Sequence, residues 1–175
     1  MKTKEYIAYS LIGLMKTKDF ETITIKEITE NAHVNRSTYY RNFKSKEDIL
    51  KFQLRKITEE YINKFESVEE KTEKNHIYTI LNTYNEHRVF FLTIQESRQL
   101  YIMQQVYLDY LQDNIPVISS KEELYKLYHN IGGIYNFIIC WIENGMDENL
   151  EELTELYLNI ISDKGQGQLY SSLIT

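Results

Sequence analysis

The chain has 175 residues, 42% of them hydrophobic, with one proline, six glycines and a single cysteine, Cys140. That balance supports a real core in one or two domains, leans to all-α, and excludes a disordered chain, an internal disulfide and a cysteine-built metal site. The formal net charge of −6 averages two unlike parts, since residues 1–56 hold 12 Lys+Arg against 7 Asp+Glu, net +5, and residues 57–175 hold 8 against 19, net −11; a basic head on an acidic body favours nucleic acid over a membrane as partner.

In chain order, Ile7, Leu11, Leu14 and Met15 fall on one stripe of a helix from about Thr3 to Lys18. Thr24 followed by Glu27 is a capping-box pattern opening a short second helix that buries Ile25, Ile28 and Ala32. His33-Val34-Asn35 then makes a tight connection, with Val34 plugging the core and Asn35 as N-cap of a third helix, Arg36 to Phe43. Ser45 and Asp48 start a fourth helix whose Ile49, Leu50 and Leu54 cover the first three, and which runs to about Phe65. The polar stretch Glu66 to Asn75 reads as a connection.

Beyond it, Ile77, Ile80, Leu81 and Tyr84 mark a fifth helix, Val89 to Ile94 a short apolar segment near a helix break, and Leu100 to Leu111 a further helix with Met103, Val106, Tyr107 and Tyr110 at helical spacing. Pro116 closes that region. Ser120 and Glu123 cap a long helix from Lys121 to Asn144, with Gly145 where a C-cap glycine belongs. Leu150, Leu153, Tyr157, Ile160 and Ile161 mark the last helix, and the tail from Gly165 is expected to be loosely held.

Two short helices joined by a turn of three or four residues, with a preceding helix packed across both, form a helix-turn-helix pattern. In the third helix Tyr39 and Phe43 face inward, which leaves Arg36, Ser37, Thr38, Tyr40, Arg41 and Asn42 as an outward polar face. Arginine can bond guanine bidentately, Asn can bond adenine, and Ser or Thr can bond a base or a phosphate. Tyr40, Lys44 and Lys46, with the amides that open helix four, suit the phosphate backbone.

The stretch Thr24 to Leu50 resembles the TetR family of transcriptional regulators. Thr24, Ile28, Ala32, Val34, Asn35, Ser37, Thr38, Tyr39, Tyr40, Phe43, Ser45, Lys46, Glu47 and Leu50 occupy the places of that family's helix-two to helix-four motif. His33 stands where the family commonly has glycine, so the resemblance implies a positive-φ turn made by a non-glycine residue, at a cost of roughly 1 kcal/mol. Carried over by position, it implies that Thr24 and Lys26 touch phosphate or the groove edge. The same carry-over makes Arg36, Ser37, Thr38, Tyr40, Arg41, Asn42 and Lys46 the contact set, with Arg36 and Arg41 reading bases.

The fold so implied is all-α, about nine helices in all, with a helix-turn-helix DNA-binding domain over residues 1–50 and an effector-binding and dimerisation domain over 51–175. The run Ile131 to Ile142 is apolar around nearly the whole helix, which asks for burial on two sides. In the family the last two helices of each subunit pair across a two-fold axis. That puts Gly132, Gly133, Phe137, Trp141, Leu153, Tyr157 and Ile160 at a homodimer interface. The spacing of the glycine pair, Trp141, Asn144 and Gly145 is also similar to a branch that includes regulators of dihydroxyacetone-kinase genes.

The implied function is a regulator, a repressor by family default, reading a palindromic operator in double-stranded DNA and switched by a small-molecule effector that tilts helix four. Candidate effector contacts are Tyr84, His87, Phe91, Gln95, Arg98, Tyr101, Gln104, Tyr107 and Tyr110, with Tyr135 and Trp141 facing them; core packing is the plain alternative for each aromatic. His33, His76 and His129 lack metal-ligand spacing, so neither metal nor cofactor is expected. An activator acting through a protein partner is the alternative. A small helical enzyme is a remote one, since no nucleophile–base motif or Gly-rich phosphate loop is present. With no leader pattern and no apolar run near the ~20 residues that span a bilayer, a cytoplasmic location away from membranes is expected.

Overall fold

The computed structural model describes residues 2–114 and 120–162. Pro116 and the tail from Gly165 lie outside them, as does the side chain of Tyr110. The described residues form nine α-helices and one 3-10 turn: α1 Lys2–Met15, the turn Phe20–Thr22, α2 Ile25–Asn31, α3 Arg36–Asn42, α4 Lys46–Ser67, α5 Glu73–Glu86, α6 Arg88–Glu96, α7 Tyr101–Asn114, α8 Lys121–Glu143 and α9 Leu150–Ser162. The all-α expectation holds. The apolar segment around Val89 to Ile94 is a helix in its own right.

In the head, α1 buries Ile7, Ala8, Leu11 and Met15 against Ile28 of α2, Tyr39 of α3, and Ile49 and Leu50 of α4. The Ser10 hydroxyl donates to the Ile28 carbonyl at 2.8 Å, pinning α1 to α2. The expected capping box is present: the Glu27 amide donates to Thr24 Oγ1 at 3.2 Å, and the Thr24 amide donates to Glu27 Oε2 at 2.8 Å. Lys18 pairs with the same carboxylate. The Lys18 hydrogen bond first, then the two bonds from Thr24, pull the Glu27 carboxyl down to about 2. A depressed carboxyl stabilises the fold fully above its unfolded value of 4.5 and loses that contribution as pH falls toward about 2. Glu27→Gln should therefore flatten the acid limb of a stability-versus-pH curve between those limits.

The turn between α2 and α3 is set by hydrogen bonds. The His33 amide donates to the Glu30 carbonyl at 3.2 Å and the Val34 amide to the Thr29 carbonyl at 3.0 Å, the paired bonds of a Schellman ending. His33 takes φ 53°, the left-handed conformation that its place in the motif implies. Glycine would remove the Cβ strain but add unfolded-state entropy. His33→Gly is expected to raise stability by up to about 1 kcal/mol, or about 2–4 °C in Tm, and a melting curve would show it.

Helix α4 is the spine. It packs on α1, α5 and α7, so it joins the head to the rest of the chain, and residue 50 falls within its first two turns. Lys56 bonds Glu5 of α1 at 2.6 Å, Arg55 bonds Asp109 of α7 at 2.8 Å, and Glu60 accepts from His87 at 2.8 Å. α9 lies on α5, and α8 on α6. The α8–α9 connection repeats the ending of α2: the Gly145 amide donates to the Ile142 carbonyl and the Met146 amide to that of Trp141, with Gly145 at φ 92°. Arg88, at the start of α6, donates to the Gly145 carbonyl at 2.6 Å and holds that connection down.

The residues expected at an interface between two copies are unequally exposed within one chain. Trp141, Leu153 and Tyr157 are 3%, 5% and 7% exposed within a single chain, so they belong to its own core and offer no surface to a second copy. Phe137 is half-buried and meets the Tyr157 ring edge-on at 5.0 Å. Ile160 stays 53% exposed. The run Ile131 to Ile142 is also less uniform than it reads. Ile138, Trp141 and Ile142 are buried, while Gly133, Asn136 and Cys140 form an exposed strip of small or polar residues.

Candidate nucleic-acid interface and effector cavity

The reading helix is held from beneath by Tyr39, which is fully buried, sits edge-on to Tyr40 at 5.2 Å and is tilted against Phe43 at 6.3 Å. Burial pushes the Tyr39 phenol up to about 12, and its hydroxyl has no hydrogen-bond partner among the described residues. The outward face is as the sequence implies in position but not in availability. Arg36, Ser37, Tyr40 and Arg41 are exposed, and Thr38 and Asn42 are half-buried. Arg36 has no bonding partner among the described residues and stands at the N-terminus of α3, where recognition helices meet base edges. Arg41 lies back along its own helix, with Nε on the Ser37 carbonyl at 3.3 Å and Nη2 on Thr38 Oγ1 at 3.2 Å.

Three expected contacts have other work in this structure. Asn42 donates to the Thr38 carbonyl at 2.7 Å, so its amide is folded onto α3 rather than presented outward. The one proton of the Thr24 hydroxyl goes to Glu27 Oε2 at 2.8 Å, within the capping box. Lys46 donates to the carbonyls of Phe20, Glu21 and Ile23, and its ammonium sits 4.6 Å from the Phe20 ring centroid. These are internal ties rather than free phosphate donors. Lys26 is different, exposed with only a loose 3.7 Å pairing to Glu30. Asn35 is in N-cap conformation without a side-chain cap bond, which leaves its amide on the surface beside Arg36. The sequence marked it only as a cap.

With this head defined, the comparisons with known proteins can be set beside it. Residues 12–51 match the family described as bacterial regulatory proteins, tetR family. That match falls on the helix-turn-helix of the head and covers less than half of the chain. Two proteins of Bacillus subtilis (strain 168), both described as uncharacterized HTH-type transcriptional regulators, align with most of the chain. YxbF is 22% identical over 168 residues, 89% of this chain and 43% of its own length. YerO is 23% identical over 193 residues, 97% of this chain and 67% of its own. The chain thus spans less than half of the first relative. The structure of a dihydroxyacetone kinase operon activator, DhaS, has a TM-score of 0.59 at 20% identity and covers 90% of this chain and 93% of its own. That likeness is one of fold.

Behind the helix-turn-helix head, a cavity of about 140 Å³ lies between α4, α5, α7 and α8. Leu54, Thr58 and Tyr61 line it from α4, Ile80 and Tyr84 from α5, Met103, Val106 and Tyr107 from α7, and Ile134, Tyr135 and Ile138 from α8. Of the residues expected here, Tyr84, Tyr107 and Tyr135 are present. Phe91 stacks on Tyr84 at 4.4 Å as fully buried core outside the lining. His87 occupies the α5–α6 break and bonds Glu60, and Arg98 is an exposed turn residue at φ 58° between α6 and α7. Tyr101 and Gln104 point to solvent, because α7 turns Ile102, Met103 and Val106 inward. Gln95 is half-buried and, like Trp141, lines no part of the cavity. The α4 wall was missed, although Leu54, Thr58 and Tyr61 continue an i, i+4, i+7 stripe past the head.

Proposed function

We propose that this chain is a transcriptional regulator that lays α3 in the major groove of double-stranded DNA and reads a palindromic operator as a homodimer. A small effector in the α4–α8 cavity would modulate it. The observation that carries the reading is Arg36: exposed, unpartnered among the described residues and at the leading end of a helix whose inner face is fixed by Tyr39. The basic first third and the TetR-family match over residues 12–51 support it. Selection from random DNA should return a palindromic consensus with half-sites about one helical turn apart. No enrichment at all would sink the proposal, which places the protein in the cytoplasm and gives it no catalytic step. Turnover that survives Arg36→Ala and Tyr40→Phe would overturn that last part.

The surface best suited to a second copy is the outer face of α8 with that of α9. Tyr125 and Tyr128 are 73% and 45% exposed, and Leu156 and Ile160 are 50% and 53%. Gly132 faces open space, since a Cβ there would meet no atom of the chain within 4 Å. Within one subunit, Gly132→Ala should therefore stabilise α8 by roughly 0.5–1 kcal/mol. A dimer that packs closely over Gly132 reverses that sign. Melting measured across protein concentration, beside light-scattering mass, distinguishes the two results.

The sign of regulation has two readings. Repression follows the family default. The fold likeness to a protein whose name marks it as an operon activator favours the second, activation through a protein partner. In-vitro transcription from a selected operator, with purified protein and polymerase alone, tells them apart: repression needs no further component.

A further inference from the structure

Beside the C-terminal end of the reading helix lies a cleft of about 360 Å³ between α1, α3 and α4. Tyr40, Arg41 and Lys44 line it from the reading helix and the connection after it, Lys4 lines it from α1, and Asp48 and Arg55 from α4. Four cations therefore face one carboxylate. That carboxylate is already engaged, since Asp48 accepts from the Lys44 amide at 3.0 Å. A concave wall with such an excess of positive charge attracts an anion.

The cations differ in what holds them. Lys4 makes no hydrogen bond or ion pair among the described residues, and its ammonium lies 5.8 Å and 5.6 Å from the ring centroids of Phe43 and Phe52. Its neighbour Glu5 does not neutralise it, because that carboxylate is bonded to Lys56. The Lys44 side chain is exposed and likewise unpaired among the described residues. Arg55 is paired with Asp109 of α7 at 2.8 Å, but the two side chains are 54% and 45% exposed, and an exposed ion pair holds weakly. Asp109 stands on the helix whose Met103 and Val106 line the cavity.

We propose that Lys4, Lys44 and Arg55 make this cleft a second contact with DNA, one that takes a backbone phosphate of the strand beside α3, and that Asp109 competes with the phosphate for Arg55. The inference rests on the reading of α3 as the DNA-reading helix, and it adds Lys4 and Arg55, which lie outside the Thr24 to Leu50 motif. With α3 in the major groove, a bordering strand passes the end of the helix, where Tyr40 and Arg41 already form part of the cleft wall. Contacts of this kind set register and orientation without reading bases. Lys4 gives up little when a phosphate arrives, since its stem can stay over the two rings while the ammonium turns outward.

The test is fluorescence-anisotropy titration of the full chain, across salt concentration, with a duplex carrying the selected operator and a random-sequence duplex of equal length. Lys4→Met and Arg55→Gln should each weaken both duplexes alike and reduce the slope of log affinity against log salt by up to about 0.9 per subunit, with Tm unchanged. Asp109→Asn should act in the opposite direction and tighten both duplexes by about 2- to 5-fold per subunit, and it should have no effect in an Arg55→Gln background. If the Arg55–Asp109 pair is only a structural tie, Arg55→Gln and Asp109→Asn weaken binding together, which overturns the competition. A gain from Asp109→Asn that persists in the Arg55→Gln background overturns it too, since loss of a negative charge is then the whole effect. Loss of sequence preference in Lys4→Met or Arg55→Gln overturns the phosphate role. Unchanged slopes in both variants, with operator binding by the parent intact, overturn the cleft and leave the DNA reader standing. Absence of DNA binding by the parent overturns both.

Discussion

Arg36→Ala is expected to reduce the ratio of operator to random-DNA affinity by about 1–3 kcal/mol in each half-site, doubled in a two-fold complex, without destabilising the protein. Arg36 is the first residue of α3, so its charge sits at the positive end of the helix dipole, where a cation is unfavourable by roughly 0.3–1 kcal/mol. It is exposed and bonds nothing among the described residues. Alanine is a better helix former in that place. The substitution should thus leave Tm unchanged or slightly raised while the sequence preference collapses. That combination is hard to obtain from a structural residue.

The comparison within the same face sharpens the test. Lys26→Ala should lower affinity for all sequences alike and reduce the slope of log affinity against log salt by about 0.9 for each phosphate lost. Arg41→Ala should fall between the two, because Arg41 must first give up its bonds to Ser37 and Thr38. If Arg36→Ala lowers operator and random-DNA binding equally, Arg36 holds a phosphate and the base reader lies elsewhere on α3. Asn35 is then the next candidate, since its amide is exposed and caps nothing.

These assignments show where the sequence was legible and where it was not. Which residues of α3 face out follows from the burial of Tyr39 and Phe43, and periodicity is enough to say so. Which outward groups are free does not follow, because a side chain can spend its donors on its own backbone, as Asn42 does, or on a carbonyl distant in sequence. His87 and Arg98 illustrate a related point, since neither lines the cavity. Both sit at helix breaks, His87 between α5 and α6 with its ring on Glu60, and Arg98 at φ 58° between α6 and α7. The expected interface residues raise a different point. An apolar stripe shows that a helix buries one face without naming the partner, and for Leu153 and Tyr157 of α9 the burial is inside the subunit, where α9 packs on α5. The spine α4 was legible to its end, but its part in the cavity needed the third dimension.

Lys46 is where the motif-based expectation and the structure differ most, and Lys46→Met separates them. The motif implies a phosphate contact. In the structure the ammonium instead accounts for three backbone carbonyls at the end of the Phe20–Thr22 turn, those of Phe20, Glu21 and Ile23, and lies over the Phe20 ring. The tie joins the first turn of α4 to the segment leading into α2, so it sets the angle between the spine and the reading unit. Hydrogen bonds from a charged donor contribute roughly 1.5–3 kcal/mol, and because Lys46 is only half-buried, solvent brings the expected loss down to about 1–2 kcal/mol, or about 2–8 °C in Tm. Methionine keeps the apolar stem over Phe20 and removes only the donors. If the tie is internal, Lys46→Met lowers Tm and weakens operator and random DNA together, while the salt slope stays as in the parent. If Lys46 instead reaches a phosphate, Tm holds and the slope falls by about 0.9 per subunit. The second pattern would mean that the ammonium leaves the Phe20 and Ile23 carbonyls when DNA arrives, and the spine angle would then change on binding.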